Sequence, residues 1–556
     1  MARFESDVDI AKRAALQHIT QVAAPLGLEA SDLVLFGEHK AKIKMGTLRR
    51  ILGSDRRDAP VILVSATSPT EAGEGKTTCT IGLTQALNQI GGTAIPTLRE
   101  PSMGPVFGRK GGATGGGYSQ VLPMEDINLH FTGDLHAIAA ANNLISAVLD
   151  NEMYSGNASR IDRSSILWRR ALDMNDRALR EVTTGRGKNA RQSGFDISAA
   201  STVMAILCLS TSYAELKERI GRVLLGFTED GTPFTGADLG IEGSAAALLR
   251  DALLPNLVQT TENGPAFIHG GPFANIAQGT ASVLSMRLAR KLADYVVTEA
   301  GFGFDLGGEK FLDLVGPTGG LMPSACVIVT TARSLKLHGG KDKTELNTPS
   351  VDAVRAGACN LEKHLENARK LGLAPIVAIN RFPADTDAEI AAIHQVCDRA
   401  GVDASAVDVR AQGGKGAVEL AKKVAAAVER KQVGRQLYDW SLDVKTKIGT
   451  IATEIYGAGN VEYTPEAQGD LRLIRDQGFE SLPICMAKTP VSLSDDPAAL
   501  GRPEGFSLTV RRILVSSGGG FLIPLTGKIL MMPGLPARPA ALDIDIDDEG
   551  GISGLF

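Results

Sequence analysis

The segment 68–78, SPTEAGEGKTT, constrains the fold of this 556-residue chain more than any other stretch. It follows the apolar run 61–64, which predicts a buried strand, and it leads into a predicted helix over 77–90. A strand, a glycine-rich turn and a helix in this order bring backbone N–H groups and the positive end of the helix dipole to one point. The segment therefore predicts a phosphate-binding loop within an α/β fold.

Individual side chains in this loop suit a nucleotide. Gly73 and Gly75 allow backbone N–H groups to face an anion. Lys76 can reach the terminal phosphates of a nucleotide, and the Thr77 hydroxyl can ligate magnesium. Thr70 stands where such loops usually carry their first glycine, so the match to the common pattern is imperfect. An ordinary strand–helix turn is the alternative, but it does not require a lysine and a threonine in this order.

Further apolar runs alternate with helical stretches along the rest of the chain. We predict strands over 93–98, 295–297, 326–329 and 375–379, helices over 6–27, 134–149 and 197–209, and short C-terminal strands over 512–515, 521–523 and 542–546. This alternation is typical of a doubly wound, mostly parallel sheet. The predicted fold class is α/β, with a phosphate-loop NTPase-like core and additional α/β domains.

Composition excludes several classes of function. The 58 Lys and Arg residues against 63 Asp and Glu residues give a formal net charge of −5, which disfavours a protein that coats nucleic acid. The N-terminus has no apolar core, and the longest uncharged run, 197–214, is rich in Ser and Thr, so we expect neither a secretion signal nor a membrane span. The six cysteines show no paired spacing, so we expect a cytoplasmic protein with reduced thiols. From the net charge and the lack of an apolar segment, we expect neither nucleic-acid nor membrane partners.

Other candidate site residues follow predicted strands or start predicted helices. Arg99 follows the strand 93–98 and can grip a carboxylate or an acyl phosphate, although a surface ion pair with Glu100 is the alternative. The glycine block 108–117 predicts a loop that folds over a ligand. Asp134 is either a site carboxylate or a simple helix cap.

Two later strand ends carry residue types that suit the same site. Glu299 comes just after the strand 295–297 and is a candidate carboxylate for organising magnesium. Phe382 follows the strand 375–379 and can either meet a flat ring or belong to the core.

Longer motifs cover essentially the whole chain. They are SPTEAGEGKTT, REPSMGPVFGRKGGATGGGYSQV, PMEDINLHFTGDLHAI, DMNDRALR, GFDIS, PNLVQT, HGGPFANIAQG, TEAGFGFDLGGEKF, AINRFPADTDAE, PICMAKT, MPGLPARPAA and ISGLF. In this combination the chain resembles the formate–tetrahydrofolate ligase family, also called the 10-formyltetrahydrofolate synthetases. The resemblance implies a reaction in which ATP phosphorylates formate and the amine of tetrahydrofolate then attacks the formyl phosphate.

The resemblance also implies roles for individual residues of this chain. The implied catalytic residues are Lys76, Arg99 and Asp134, and the implied ATP-binding residues are Thr70, Glu71, Ala72, Gly73, Glu74, Gly75, Lys76, Thr77 and Thr78. Thr77 would ligate the magnesium that accompanies ATP, and the implied folate-binding residues are Phe302, Phe382, Pro383 and Arg410. The family further implies a homotetramer and activation by a monovalent cation, potassium or ammonium.

Together these patterns predict a chain of three parts. Residues 1–136 and 281–350 would form the nucleotide-binding core with the phosphate loop. Residues 137–280 would form an inserted, mainly helical α/β domain. Residues 351–556 would form a C-terminal α/β domain that contributes to the folate site.

The chain departs from the family pattern mainly where the resemblance places the folate. Arg410 stands where the family has a tryptophan that is expected to stack on the pterin. Other departures are Gln192 for a glutamate, Gln278 and Asn142 for histidines, Thr280 for a cysteine, and LVGP at 314–317 for IKCR. Two alternatives therefore stay open: a paralogue that activates a carboxylate for a different acceptor, and a nucleotide-binding regulatory protein without catalysis.

Overall fold

The computed structural model describes residues 5–108, 114–527 and 529–555. The strands in these ranges are β1 (Leu33–Leu35), β2 (Ala41–Ile43), β3 (Val61–Ala66), β4 (Ala94–Leu98), β5 (Gly115–Gly116), β6 (Ser119–Leu122), β7 (Arg170–Leu172), β8 (Val182–Thr184), β9 (Arg191–Ser193), β10 (Phe195–Ile197), β11 (Leu224–Phe227), β12 (Pro233–Thr235), β13 (Asn256–Thr260), β14 (Pro265–Ile268), β15 (Tyr295–Glu299), β16 (Ala325–Thr330), β17 (Pro375–Asn380), β18 (Ala404–Val407), β19 (Asn460–Tyr463), β20 (Ser507–Val510), β21 (Arg512–Ser516), β22 (Phe521–Leu525), β23 (Asp545–Ile546) and β24 (Ile552–Ser553).

The α-helices in the same ranges are α1 (Asp7–Arg13), α2 (Ile19–Ala23), α3 (Met45–Leu52), α4 (Lys76–Gln89), α5 (Met103–Gly108), α6 (Met124–Asn128), α7 (Asp134–Tyr154), α8 (Thr202–Leu209), α9 (Tyr213–Gly221), α10 (Gly236–Leu239), α11 (Glu242–Leu248), α12 (Val283–Leu292), α13 (Gly316–Gly319), α14 (Ala332–His338), α15 (Val351–Lys370), α16 (Asp387–Arg399), α17 (Val409–Gln412), α18 (Val418–Glu429), α19 (Val444–Thr450) and α20 (Pro465–Asp476). None of these helices is both long enough and apolar enough to cross a membrane.

Twelve strands of the described chain form one central sheet. Its order is β1-β2-β13-β14-β4-β15-β3-β16-β17-β18, and β6 pairs with β13 while β5 pairs with β6. The seven strands from β14 to β18 in this order run parallel, and the strands beyond β14 pair antiparallel. The structure confirms an α/β fold with a mostly parallel central sheet.

Both faces of the parallel sheet are covered, which explains why its strands are recognisable as unbroken apolar runs. In β3, Val61 and Leu63 pack into one core cluster while Ile62 and Val64 pack into another on the opposite face. The first cluster includes residues of α14 and α15, and the second includes residues of α4 and α18. A strand buried on both faces presents apolar side chains at every position rather than at alternate ones.

The predicted strands and helices around the sheet are confirmed, with shifts of a few residues at their ends. Pro96 lies inside β4 although proline cannot donate to a sheet ladder. It pairs in register with Val297 of β15, whereas the pairing of β4 with β14 begins only at Thr97. The proline therefore occupies a position that β14 does not flank.

Three predicted elements were wrong in their extent. The helix predicted over 197–209 begins only at Thr202, because Ser201 caps it by accepting the Met204 N–H at 3.2 Å. The helix predicted over 6–27 is two short helices, since Ala14 has extended backbone angles and His18 caps the second one. The strand predicted over 542–546 is confined to Asp545–Ile546.

The central sheet takes strands from all three predicted parts of the chain. β13 and β14 come from the segment 137–280, and β17 and β18 come from the segment 351–556. The division into three domains stays a prediction. Strands from the core segments 1–136 and 281–350, from 137–280 and from 351–556 nevertheless all contribute to the same sheet.

Candidate active site

The carboxyl ends of the parallel strands gather most of the predicted site residues along one edge. In sheet order, β4 leads to Arg99, β15 ends at Glu299, β3 leads to the loop 68–75, and β17 leads to Phe382. Neighbouring strands lie about 4.8 Å apart, so the four steps from β4 to β17 span roughly 19 Å. Ligands of open α/β sheets bind at this edge, because loops there can diverge around a crevice.

The predicted phosphate loop has the backbone of an anion-binding turn. Gly73 and Gly75 have left-handed φ angles of 77° and 75°, and α4 begins at Lys76, directly after the second glycine. The glycine conformations turn the chain so that the amino end of α4 faces the edge of the sheet. Glu71 and Ala72 are exposed at the tip of the loop, while Thr70 is buried at its base.

A buried glutamate holds the loop from inside. The Glu74 carboxylate accepts the Thr70 N–H at 2.8 Å and a hydrogen bond from the Thr331 hydroxyl. The Asn380 amide donates to the Glu74 carbonyl at 3.0 Å. Because Thr331 follows β16 and Asn380 ends β17, the two neighbouring strands fix the loop before any ligand binds.

Glu299 connects the loop to Arg99. The Thr77 hydroxyl donates to Glu299 Oε2 at 2.9 Å, and Arg99 Nη2 lies 3.7 Å from Glu299 Oε1. Glu299 is buried, whereas the Arg99 side chain keeps 25% of its surface exposed. The arrangement combines a hydroxyl, a carboxylate and a partly open guanidinium at the end of the phosphate loop.

The oxygens of Thr77 and Glu299 fit magnesium, which prefers oxygen ligands and usually takes only one or two carboxylates plus phosphates and water. The described residues contain no group of three or more His, Cys, Asp and Glu side chains arranged to hold a metal ion by themselves. Protein and nucleotide together would therefore have to complete such a site.

Asp134, the third predicted catalytic residue, lies in a separate buried ion pair. Its carboxylate is 2.8 Å from Lys42 Nζ and accepts a hydrogen bond from the Asn256 amide at 2.9 Å. Burial raises the pKa of the neighbouring Glu100 carboxyl well above its usual range, and the charge of Asp134 raises it further. Asp134 thus holds Lys42 and influences the residue next to Arg99, and its predicted catalytic role stays a prediction.

Phe302 has an unusual backbone at the predicted folate site. Its φ of 59° is left-handed, a conformation that costs free energy for a bulky side chain. It lies between Gly301 and Gly303, and a Cβ on Gly301 would come 3.4 Å from Arg99 Nη1. Phe302 is therefore held in a strained turn beside Arg99, as is common for residues of functional sites.

Phe382 and Pro383 follow β17 on the other side of the loop. The Phe382 N–H donates to Asp385 Oδ2 at 2.8 Å, and the Arg333 guanidinium lies 5.3 Å from the centre of the Phe382 ring. Phe382 is half-buried and Pro383 is exposed. Sequence reasoning missed Arg333, which gave no signal beyond its place three residues after the end of β16.

Arg410 forms an ion pair with the first residue of α1. Arg410 Nη2 lies 2.9 Å from Asp7 Oδ1, which also accepts the Gly117 N–H at 2.9 Å. The Arg410 carbonyl accepts the Tyr118 N–H at 2.9 Å. Arg410 thereby connects the described end of the predicted glycine loop to the N-terminal helix, and residues 109–113 of that loop lie outside the described ranges.

Comparison with known proteins gives the family. The family model described as formate–tetrahydrofolate ligase matches residues 5–556. The chain is 53% identical over 545 residues to a formate–tetrahydrofolate ligase of Syntrophus aciditrophicus (strain SB). The aligned region covers 97% of this chain and 96% of that relative.

The chain belongs to the formate–tetrahydrofolate ligase family.

Two of the residues that depart from the family pattern have structural partners outside the central sheet. Asn142, in α7, donates its amide to the Arg169 carbonyl at 2.9 Å. Gln192 lies on the exposed hairpin of β8 and β9 and contacts the Thr183 hydroxyl at 3.2 Å. Neither contact belongs to the carboxyl edge, so these two departures do not by themselves argue for a different ligand of this ligase-family chain.

Gln278 lies much closer to the predicted site. It occupies the loop between β14 and α12, where the carbonyl of the next residue, Gly279, accepts the Gly301 N–H at 3.0 Å. Both amide atoms of Gln278 are buried and have no hydrogen-bond partner within the described part of the chain. Thr280, two residues later, donates its hydroxyl to the Ala281 carbonyl at 3.1 Å. Gln278 and Thr280 therefore flank Gly279, the residue that hydrogen-bonds to the Phe302 turn.

Proposed function

We propose that this protein joins formate to tetrahydrofolate at the expense of ATP and forms 10-formyltetrahydrofolate, ADP and phosphate through formyl phosphate. The single observation that carries the proposal is the family match over residues 5–556. The site geometry supports it, since a nucleotide loop, a carboxylate and a partly open arginine meet at one sheet edge. We call the ends of β4, β15 and β3 the phosphate side of this edge, and the ends of β16, β17 and β18 its acceptor side.

On the phosphate side, the loop would receive ATP as a phosphate-loop NTPase receives its nucleotide. Backbone N–H groups between Gly73 and Thr77 would bind the phosphate oxygens, and Lys76 would neutralise charge on the transferring phosphoryl group. The internal contacts of Glu74 hold these groups in place in advance, so little reorganisation accompanies binding.

Magnesium would bind to ATP beside the Thr77 hydroxyl and the Glu299 carboxylate. When bound, the ion would offset the negative charge of the phosphates. Glu299 would orient the Thr77 side chain, as outer carboxylates commonly orient metal ligands. The family resemblance adds a monovalent cation, potassium or ammonium, to the proposed cofactors.

Arg99 would hold formate and then formyl phosphate. Its guanidinium is partly exposed, and Glu299 engages it only at 3.7 Å, so donor groups remain for a carboxylate or phosphate. Attack of a formate oxygen on the terminal phosphorus of ATP forms the new P–O bond and releases ADP. Attack of the folate amine on the formyl carbon then releases phosphate.

Phe302, Phe382, Pro383 and Arg410 would form the folate site, with Phe302 reaching it from the end of β15 on the phosphate side and the other three lying on the acceptor side. A ring-shaped ligand can stack on the half-buried Phe382, and the strained Phe302 turn lies between that ring and Arg99 in sheet order. The family match across both sides disfavours a non-catalytic regulatory protein and a ligase with another acceptor. We further propose a cytoplasmic homotetramer, as the family resemblance implies.

The test is release of ADP from ATP with formate and tetrahydrofolate, each omitted in turn. We expect full turnover only when all three substrates and magnesium are present. Turnover without tetrahydrofolate, or none at all, would contradict the proposal. Protection against thermal unfolding by ATP, with no response to formate or folate, would instead identify a nucleotide-binding protein without catalysis.

A further inference from the structure

Arg333 occupies a central position that the proposed mechanism does not use. It is the second residue of α14, which follows β16, the strand between β3 and β17. The residue two positions earlier, Thr331, caps α14 and donates to Glu74 inside the phosphate loop. Arg333 therefore lies where the phosphate side and the acceptor side meet.

The Arg333 side chain is held against an aromatic ring. Its guanidinium carbon lies 5.3 Å from the centre of the Phe382 ring, within the range of a cation–π contact. The residue is half-buried, and its Nε is shielded from solvent without a hydrogen-bond partner in the described ranges.

Other arginines of the same edge each have an acidic partner. Arg99 faces Glu299 at 3.7 Å, Arg381 faces Asp387 at 2.7 Å, and Arg410 faces Asp7 at 2.9 Å. Within the described residues, Arg333 forms neither a hydrogen bond nor an ion pair.

The charged groups around Arg333 have other contacts, although Asp385 Oδ1 is buried without a hydrogen-bond partner in the described ranges. The nearby Asp385 carboxyl accepts the Phe382 N–H at 2.8 Å and has its pKa raised by burial, while the charge of Arg333 lowers that pKa. Lys336 and Glu389 form a buried pair at 3.0 Å. An arginine without an ion-pair partner has its guanidinium donors available, so an anion that reaches it gains a strong, charge-assisted interaction.

We propose that Arg333 is a substrate-binding residue that receives an oxyanion of a bound substrate while Phe382 holds its guanidinium flat. The inference rests on the proposed function and adds a residue to it. All three substrates carry oxyanions, but formate is assigned to Arg99, which leaves the glutamate carboxylates of the folate and the phosphates of ATP. The position against Phe382 is on the acceptor side, and the Thr331–Glu74 contact connects the same turn to the phosphate loop.

The experiment compares R333Q and R333K with R381Q in the full-length protein. R381Q is the matched control, because Arg381 lies next to Phe382 but pairs with the exposed Asp387. KM and kcat are measured for ATP, for formate, and for tetrahydrofolate with one and with three glutamates. Thermal protection by magnesium-ATP and by tetrahydrofolate is measured relative to each variant's own ligand-free melting temperature.

We expect R333Q to raise one KM by about 10- to 100-fold, the usual effect of losing a hydrogen bond to a charged group, with kcat changed much less. A rise for folate that is larger with three glutamates assigns the oxyanion to the folate, and a rise for ATP assigns it to a phosphate. R333K should recover part of the loss, because it restores the charge without the planar fork.

Unchanged KM values and unchanged ligand protection in R333Q, relative to R381Q, would overturn the inference. An equal loss for all substrates with a lowered ligand-free melting temperature in both R333Q and R333K would also overturn it, because it would show a structural role. Absence of turnover in the wild-type protein would instead reject the proposed function. In that case ligand protection in R333Q still decides whether Arg333 binds an oxyanion.

Discussion

The two sides of the carboxyl edge are built differently. On the phosphate side, Glu74 and Glu299 are buried, and hydrogen bonds of 2.9 Å from Thr77 to Glu299 and of 3.0 Å from Asn380 to the Glu74 carbonyl connect the loop to strands of the sheet. On the acceptor side, Arg410 is 58% exposed and its partner Asp7 belongs to a distant part of the chain. The loop of the phosphate side is therefore fixed by strands of the central sheet, including β16 and β17 of the acceptor side, whereas Arg410 pairs with a residue of the N-terminal helix.

This difference explains where the chain can change. The buried Glu74 carboxylate accepts from the Thr70 N–H and the Thr331 hydroxyl, so its replacement would leave donors unsatisfied. A half-exposed arginine on a short helix can take the place of a tryptophan at little cost in stability. The departure at Arg410 thus falls on the side where substitution is tolerated, and the phosphate loop keeps its lysine and threonine.

The largest effect is expected at the loop itself. Lys76→Met should lower kcat/KM for ADP release by about 10³-fold, because it removes the charge proposed to stabilise the transferring phosphoryl group. Lys343→Met is the control, since Lys343 pairs with the exposed Glu71 at 2.7 Å on the same loop. Comparable losses in both variants would show that activity depends on the overall positive charge near the loop and not on Lys76 in particular. That result would contradict the role assigned to the phosphate side.

The buried ion pair beside Arg99 should matter most for stability. Asp134→Asn leaves the Lys42 ammonium buried without a charged partner, so we expect a loss of about 3–5 kcal/mol in the free energy of unfolding. Denaturant titration measures this loss, and Asp126→Asn, which breaks the more exposed pair with Lys40, should cost less than about 1 kcal/mol. Equal costs for the two substitutions would contradict the buried role assigned to Asp134.

The pH dependence of the free energy of unfolding tests whether a buried ion pair also stabilises the acceptor side. Burial alone would raise the pKa of Glu389, but N–H groups of Thr386 and Ser350, together with Lys336, lower it to about 2 from an ordinary 4.5. Because the folded pKa is the lower one, the ionised carboxylate stabilises the fold above about pH 4.5. This contribution of about 3 kcal/mol is lost as the pH falls from 4.5 towards 2.

Denaturant titrations of the wild type and of Glu389→Gln from pH 7 to pH 3.5 should converge as the pH falls. Asp387→Asn, at the exposed start of the same helix, is the control and should follow the wild type at every pH. A gap between wild type and Glu389→Gln that stays constant with pH would show that the carboxylate does not support the acceptor side in this way.

The Glu299→Gln substitution tests whether the carboxylate at the end of β15 contributes to magnesium binding. The amide removes a charge next to Thr77 and Arg99, so we expect activity to fall by about 100-fold and the magnesium requirement to rise. Activity is measured over a range of magnesium concentrations. Asp294→Asn, at the opposite end of β15, should leave the magnesium dependence unchanged. An unaltered magnesium dependence in Glu299→Gln would place the ion away from Glu299.

The smallest effect is expected at Arg410. Arg410→Trp adds a stacking ring and removes the ion pair with Asp7, so the apparent KM for tetrahydrofolate should fall by roughly 3- to 10-fold. Asp7→Asn breaks the ion pair without adding the ring and serves as the control. No change in Arg410→Trp would indicate that the arginine already serves the folate, or that the stacking ring lies elsewhere.

Much of this architecture could be predicted because it is local in the sequence. Strands buried on both faces appear as continuous apolar runs, and the loop 68–78 has its glycines, lysine and threonine in a fixed order. The start of α8 could not be predicted in the same way. Residues 197–201 are uncharged like the helix after them, and the hydrogen bond from the Met204 N–H to the Ser201 hydroxyl marks the first turn of that helix.

The contacts that shape the candidate site are not local. Thr77 and Glu299 are 222 positions apart, Glu74 and Thr331 are 257 apart, and Arg410 and Asp7 are 403 apart. The sequence named Glu299 as a candidate acid but could not pair it with Thr77. It gave no indication that Arg333 faces Phe382, since both residues follow strands whose order in the sheet was unknown.

The sequence by itself predicted a phosphate-binding loop after a buried strand and placed the chain in the formate–tetrahydrofolate ligase family, because both inferences depend on the order of neighbouring residues. Only the tertiary structure decided which acid meets which cation. The sheet order β4-β15-β3-β16-β17 differs from the order along the chain, so it brings Glu299 between Arg99 and the loop. The same order gives Arg333 an aromatic neighbour, because side chains at a sheet edge meet according to strand position and not according to distance in sequence.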